Sequence, residues 1–172
     1  MAAEDPLTGL ANRRYFDLRL GEEIADLGAQ DHGRRVADPD ATLALLFADL
    51  DGFKAINDRH GHMEGDRVLR AIAASCLGAI RPGDLLARVG GDEFALIAPG
   101  CGAEGARRLA RALSEAVEAV PVAAGGQLRA SVSWAIYPHD GEDAAGLMVA
   151  ADRRLYQRKR SGRHRSSVSA TA

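Results

Sequence analysis

The sequence predicts an α/β sandwich with some antiparallel sheet, and three observations carry that prediction. Helix-period and strand-like segments alternate in the order α, β, α, β-hairpin, α, β, α. The apolar strand runs are short and bounded by glycine and proline turns. Two of them are separated by only Gly90-Gly91-Asp92-Glu93, a hairpin composition with glycines available for positive φ. With 172 residues, 47% hydrophobic and 27% charged, the chain has the size and apolar content of one domain with a proper core. One site is therefore sought.

The first element follows a turn at Asp5-Pro6-Leu7-Thr8-Gly9: from Asn12 to about Leu27, Tyr15, Phe16, Leu18, Leu20, Ile24 and Leu27 recur at roughly helical spacing. Residues Gln30 to Asp40 are polar and without period, as a loop would be. Leu43 to Ala48 is a continuous apolar run that stops at Asp49-Leu50-Asp51-Gly52, which reads as a buried central strand whose C-terminal edge carries carboxylates. Val68, Leu69, Ile72, Ala73, Cys76, Leu77 and Ile80 then define an amphipathic helix starting near Glu64 and stopped by Arg81-Pro82-Gly83. The hairpin pairs Leu85–Val89 with Phe94–Ile97. A helix from about Ala103 to Val120, a strand from Leu128 to Tyr137 and a helix from about Asp143 to Arg160 complete the order. The domain is expected over 1–165, with a disordered small and polar tail at 166–172.

Composition excludes several function classes. The formal charge of −2 and pI near 6.2 give no global basic field for nucleic acid or an anionic membrane. The longest apolar stretch, Ala71 to Ile80, falls far short of the ~20 residues a membrane helix needs. The N-terminus lacks the basic and apolar regions of a secretory signal. Cys76 and Cys101 form no disulfide framework, so both thiols are expected to be structural, in a reducing cytoplasm.

The chemistry concentrates in two acidic pairs. Asp49 and Asp51 flank Leu50 at a strand end, where like charges are costly unless a cation compensates. Mg²⁺ fits hard oxygen ligands completed by water and phosphate, with the Leu50 carbonyl as a further donor; on their own, however, the two acids read rather as caps of a following helix. Asp92 and Glu93 form a second pair, beside Gly90 and Gly91, which carry no side chain to keep a ligand off the backbone. Alone this is an ordinary hairpin; beside the first pair it suits a two-metal phosphoryl-transfer site. Lys159 and Arg163 lie four residues apart on one helical face and read either as a triphosphate clamp or as a solvated cationic helix end. Arg81 and Asp84 read as a capping turn with a surface ion pair, or as a fork and acceptor for phosphate and guanine.

Together these residues resemble the GGDEF family of diguanylate cyclases. The likeness runs from Asp5-Pro6-Leu7-Thr8-Gly9-Leu10-Ala11-Asn12-Arg13-Arg14 to Gly162-Arg163. Between them stand Asp49-Leu50-Asp51-Gly52-Phe53-Lys54, Asn57-Asp58, Gly61-His62, Gly65-Asp66, Arg88-Val89-Gly90-Gly91-Asp92-Glu93-Phe94 and Tyr156 to Arg163. The resemblance implies an adenylyl-cyclase and polymerase-palm-like sandwich: a central, mainly antiparallel sheet flanked by helices, with the signature on a β-hairpin. It implies condensation of two GTP into cyclic di-GMP with release of two pyrophosphates, by metal-assisted attack of a 3′-hydroxyl on α-phosphorus between two copies of the domain. Asp92 and Glu93 would be catalytic. Asp49, the Leu50 carbonyl, Asp92 and Glu93 would hold Mg²⁺ or Mn²⁺. Asn57 and Asp66 would read guanine; Phe53, Lys54, Gly90, Gly91, Lys159 and Arg163 would complete the substrate site. Arg81 and Asp84, with Arg88, would bind the product as inhibitor. The other reading under the same resemblance is a catalytically weak module that binds GTP or cyclic di-GMP. A sensory or receiver module is the upstream partner the family implies. Ala135, where the family commonly has glycine, and His164, where it has asparagine, depart from the pattern.

Overall fold

The structure is a computed structural model that describes residues 3–30 and 42–168, with side chains to Gln157–Arg160 in the last helix. Its elements are β1 (Ala11–Asn12), α1 (Arg13–Gln30), β2 (Leu43–Asp51), α2 (Phe53–His60), α3 (His62–Gly78), β3 (Leu85–Arg88), β4 (Glu93–Pro99), α4 (Ala103–Glu118), β5 (Arg129–Tyr137) and α5 (Ala144–Val168). The five strands form one sheet in the order β1-β3-β4-β2-β5. Among the described residues only the short β1–β3 pairing is parallel; β3–β4, β4–β2 and β2–β5 are antiparallel. The expected mainly antiparallel sheet flanked by helices is therefore present.

Strand alternation divides the core into two. Ala44, Leu46, Ala48 and Leu50 of β2 point to one face, where they meet Ile56 of α2, Val68 and Ile72 of α3, and Leu113 and Val117 of α4. Leu43 and Leu45 point to the other face, against Phe16 and Leu20 of α1 and Leu147 and Ala151 of α5. The four-residue spacing of Phe16, Leu20 and Ile24, and again of Leu147, Ala151 and Leu155, gives each outer helix one buried stripe. Asp49 and Asp51 share the parity of Leu43 and Leu45, so the strand carries them toward the α1/α5 face.

Three elements depart from the sequence prediction. Residues 11 and 12 form a strand before α1. Asn12 ends that strand and also caps the helix, its Oδ1 accepting the Tyr15 N–H at 2.9 Å. The short α2, with only Phe53 and Ile56 buried, is too brief to show a period. It is set off by Gly52 at φ 84° and Gly61 at φ 83°, left-handed conformations that L side chains rarely adopt. α5 runs to Val168, past the expected end at Arg160 and into the segment expected as a tail. The side chains of Arg163 and His164, residues 169–172 and residues 31–41, which include most of the segment expected as a loop, lie outside the described residues. Among the described residues no helix is long and apolar enough to cross a membrane.

Candidate active site at the edge of the central strands

The two acidic pairs meet across the sheet. In the β2–β4 ladder Asp49 stands opposite Glu93, and the Leu50 N–H donates to the Asp92 carbonyl at 3.1 Å. Like charges directly opposite on antiparallel strands repel, and Asp49 is only 7% exposed. The last helix supplies the compensation: Lys159 Nζ lies 2.5 Å from Asp49 Oδ2. Asp51 turns outward instead, both its oxygens accepting from the Ser131 hydroxyl at 3.0 and 2.9 Å.

The signature turn is built differently from the expectation. Gly90 and Gly91 do not take positive φ. What the turn requires at Gly90 is room, because a Cβ there would stand 2.3 Å from Glu93 Oε2. The Glu93 carboxylate thus folds back over Gly90, and a methyl group would push it away.

On the other face of the sheet a cavity of about 320 Å³ is lined by Phe53, Lys54, Asn57, His62, Asp66, Leu69, Arg88, Gly91 and Asp92. Asn57 and Asp66, far apart in sequence terms for one binding edge, come together because α2 and α3 fold against each other at Gly61. Gly65 makes this possible: a Cβ there would come within 1.9 Å of Asn57 Oδ1. Gly65 and His62 are site residues to which sequence reasoning gave no role. The signal for Gly65 was a glycine inside a helix, which costs stability unless something packs against it.

Arg88 faces this cavity and is tied down at both ends. Its Nη2 and Nε donate to the Gly91 carbonyl at 2.8 and 3.2 Å, and its Nη1 to Asp5 Oδ1 and Oδ2 at 3.2 and 3.3 Å. Asp5 in turn accepts from the Thr8 N–H at 2.9 Å and hydroxyl at 2.7 Å. Burial works against ionising Asp5, but the hydrogen bonds from Thr8 and Arg88 outweigh it and hold its carboxyl below the usual range. The opening turn of the domain is thereby stapled to the signature turn.

Arg81 and Asp84 lie elsewhere, beside a cavity of about 420 Å³ that also includes Cys101 and Arg108. Arg81 Nε donates to the Asp84 carboxylate at 3.1 Å, and its Nη2 to the Pro99 carbonyl. Arg88, grouped with this pair in the sequence reading, lines the cavity of Asp92 instead. The thiols are inert by environment, burial pushing Cys76 up to about 11 and raising Cys101 as well.

Among the described residues no three His, Cys, Asp or Glu side chains converge into a ready-made metal cluster. Mg²⁺ is usually held by one or two carboxylates with the remaining positions left to water and phosphate, so such a cluster is not what its binding requires. The buried Asp49 carboxylate already faces a cation, so its surroundings suit positive charge.

Residues 2–165 match the family described as diguanylate cyclase, GGDEF domain. The chain is a GGDEF domain. It is 39% identical over 169 residues to the diguanylate cyclase DgcP of Pseudomonas aeruginosa, which covers 97% of this chain and 24% of that protein. It is 38% identical to the probable diguanylate cyclase DgcE of Escherichia coli, over 97% of this chain and 15% of that one. This GGDEF domain thus spans a minor part of the curated relatives it matches. Among solved structures it superposes with a TM-score of 0.78 on the GGDEF domain of DgcB from Caulobacter crescentus in complex with c-di-GMP, at 32% identity, over 94% of this chain and 92% of that one. The diguanylate cyclase SiaD of Pseudomonas aeruginosa, solved with its activator SiaC, gives a TM-score of 0.81 at 35% identity, over 94% and 59% of the two chains. The palm-like cyclase fold implied by the sequence is the fold of these GGDEF neighbours. The domain accommodates Ala135 fully buried in the α1/α5 core, opposite Leu45.

Proposed function

We propose that this GGDEF domain is half of a diguanylate cyclase active site, condensing two GTP into cyclic di-GMP as a homodimer. The observation that carries the reading is the meeting of Asp49, Leu50, Asp92 and Glu93 at one strand edge, beside a cavity lined by Asn57, Asp66 and Lys54. Asp66 accepts from the guanine N1–H and amino group, and the Asn57 amide takes the remaining polar edge. Adenine presents no N–H at that ring position, so an acceptor there disfavours ATP. Phe53 packs beside the nucleotide, Gly90 and Gly91 let it approach the turn, and Lys54, Lys159 and Arg163 hold its phosphates as cations. Mg²⁺ or Mn²⁺ bound by Asp49, the Leu50 carbonyl, Asp92 and Glu93 would supply charge neutralisation and acidify the attacking hydroxyl.

Within that frame Asp92 accepts the proton as the 3′-hydroxyl oxygen bonds to α-phosphorus and the bond to pyrophosphate breaks. One cavity holds one GTP, so the attacking hydroxyl comes from a second copy in a two-fold arrangement. Product binds at Arg81 and Asp84 and holds copies apart; Arg88 contributes there only on leaving Gly91 and Asp5. The domain works on cytoplasmic GTP, under an upstream sensory or receiver module.

Incubation with GTP and Mg²⁺, with chromatographic identification of products, tests this. Cyclic di-GMP is expected from the wild type. Asp92→Ala should lose at least about 100-fold in turnover while keeping its circular dichroism, in line with the weight of a general base. Tight GTP or cyclic di-GMP binding without turnover at high protein concentration would replace the cyclase by a binding module.

A further inference from the structure

Lys159 is a phosphate ligand in the reading above, yet its ammonium is spent on Asp49, the carboxylate that the same reading gives to the metal. The pair is well enclosed, with Lys159 27% and Asp49 11% exposed at their side chains. Other cations of α5 are engaged elsewhere: Arg154 with Asp140, and the guanidiniums of Arg158 and Arg160 over the rings of Trp134 and Tyr156. A second acid, Glu93, stands opposite Asp49 on β4, and the backbone of Asp92 accepts from the neighbouring Leu50 N–H. Lys159 therefore does for this acidic edge what a divalent ion would do.

We infer that Lys159 is a charge latch coupling metal binding to nucleotide binding. A divalent ion and the ammonium compete for one carboxylate, and two cations sharing it repel. A triphosphate resolves the conflict: its oxygens take the ammonium, leaving Asp49 to the ion. Lys159 lies one turn beyond the buried Leu155, the last buried side chain of α5 among the described residues, and its four-carbon stem lets the ammonium swing between the two partners while the helix stays docked. Nucleotide thus strengthens metal binding, and by linkage metal strengthens nucleotide binding. This rests on the cyclase reading for the metal ligands, and it predicts something a purely structural ion pair does not, that removing a cationic side chain improves the site for metal.

Mn²⁺ binding followed by electron paramagnetic resonance separates the alternatives. Without nucleotide, Lys159→Met should bind Mn²⁺ about tenfold more tightly than the wild type, within the ~5–150-fold span of such couplings, and Lys159→Arg should stay near the wild type. With a non-hydrolysable GTP analogue present the order should reverse, since the variant has lost a phosphate ligand. Equal or weaker Mn²⁺ affinity in folded Lys159→Met would overturn the latch and leave the metal assignment standing. No Mn²⁺ binding by any of the proteins, with or without the analogue, would overturn the metal assignment and the latch with it. If Lys159→Met does not fold, the wild type gives the answer: Mn²⁺ alone should speed acylation of Lys159, read by peptide mass spectrometry, and unchanged labelling contradicts the proposal.

Discussion

At Gly65 helix propensity and function pull in opposite directions. Alanine is worth up to about 1 kcal/mol over glycine in helix propensity, but here its methyl would collide with the Asn57 amide, a side chain able to swing aside, and press to 3.2 Å on the buried Phe53 ring. With the two effects opposed, Gly65→Ala should leave the melting temperature nearly unchanged while raising KM for GTP about tenfold, the value of one well-placed hydrogen bond to the base. A variant with lowered stability and unchanged KM would show that Asn57 does not depend on this space. The same logic applies at Gly90 under Glu93. Asp49, Asp92, Glu93 and Asn57 were legible as candidates in the sequence because their residue types announce hydrogen-bonding or metal-ligating chemistry. The roles of Gly65 and Asp5 were not, and Gly90 was legible as a bare backbone position but not as the space under Glu93, because these roles lie in where another side chain sits, which spacing alone does not encode.

The outermost strand, β5, has no neighbour beyond it among the described residues, and its outward backbone groups are blunted by two side chains. The Trp134 carbonyl accepts from Arg154 Nη1 at 2.8 Å, and the Ile136 N–H donates to Asp140 Oδ2 at 2.7 Å. Arg154 and Asp140 are joined to each other at 2.6 and 2.8 Å. The Arg154 hydrogen bond chiefly, helped by the Ile136 N–H and the nearby His139, holds the Asp140 carboxyl below its usual value. A carboxyl depressed on folding contributes stability above its unfolded pKa, near 3.9, and that contribution disappears as pH falls through the folded value. Asp140→Asn should thus lose about 1–2 kcal/mol at pH 7 and converge with the wild type once pH has fallen below the depressed folded value, measured by denaturant unfolding. A gap that persists in acid would assign the effect to packing. At this scale the longer helices and strands were legible because each buries a periodic stripe. β1 and α2 were not, since a two-residue strand and an eight-residue helix with two buried side chains carry no period.

For the whole molecule the decisive property, under the cyclase reading, is that one chain holds one GTP at an acidic edge. Bringing two such edges together sets Asp49, Asp92 and Glu93 of each copy against the other, with Lys54, Lys159, Arg88 and Arg13 among the nearby cations. A net charge of −2 per chain adds little attraction. The encounter is therefore weak until bound substrate and divalent ions supply complementary charge, and catalysis should be second order in protein at low concentration. Over a hundredfold dilution series at saturating GTP and Mg²⁺, activity per chain should fall in proportion to concentration in the dilute range. Fusing a parallel two-stranded coiled coil ahead of Asp5 should flatten the curve, because tethering replaces a bimolecular encounter by an effective concentration in the millimolar range. Activity per chain that stays constant on dilution, in a sample shown by light scattering to be monomeric, would mean that one domain completes the reaction alone. The two-fold site would then be wrong even with every residue assignment intact, because the positions of Asn57, Asp66 and the strand-edge acids are set within a single fold, and only the source of the attacking hydroxyl depends on the second copy.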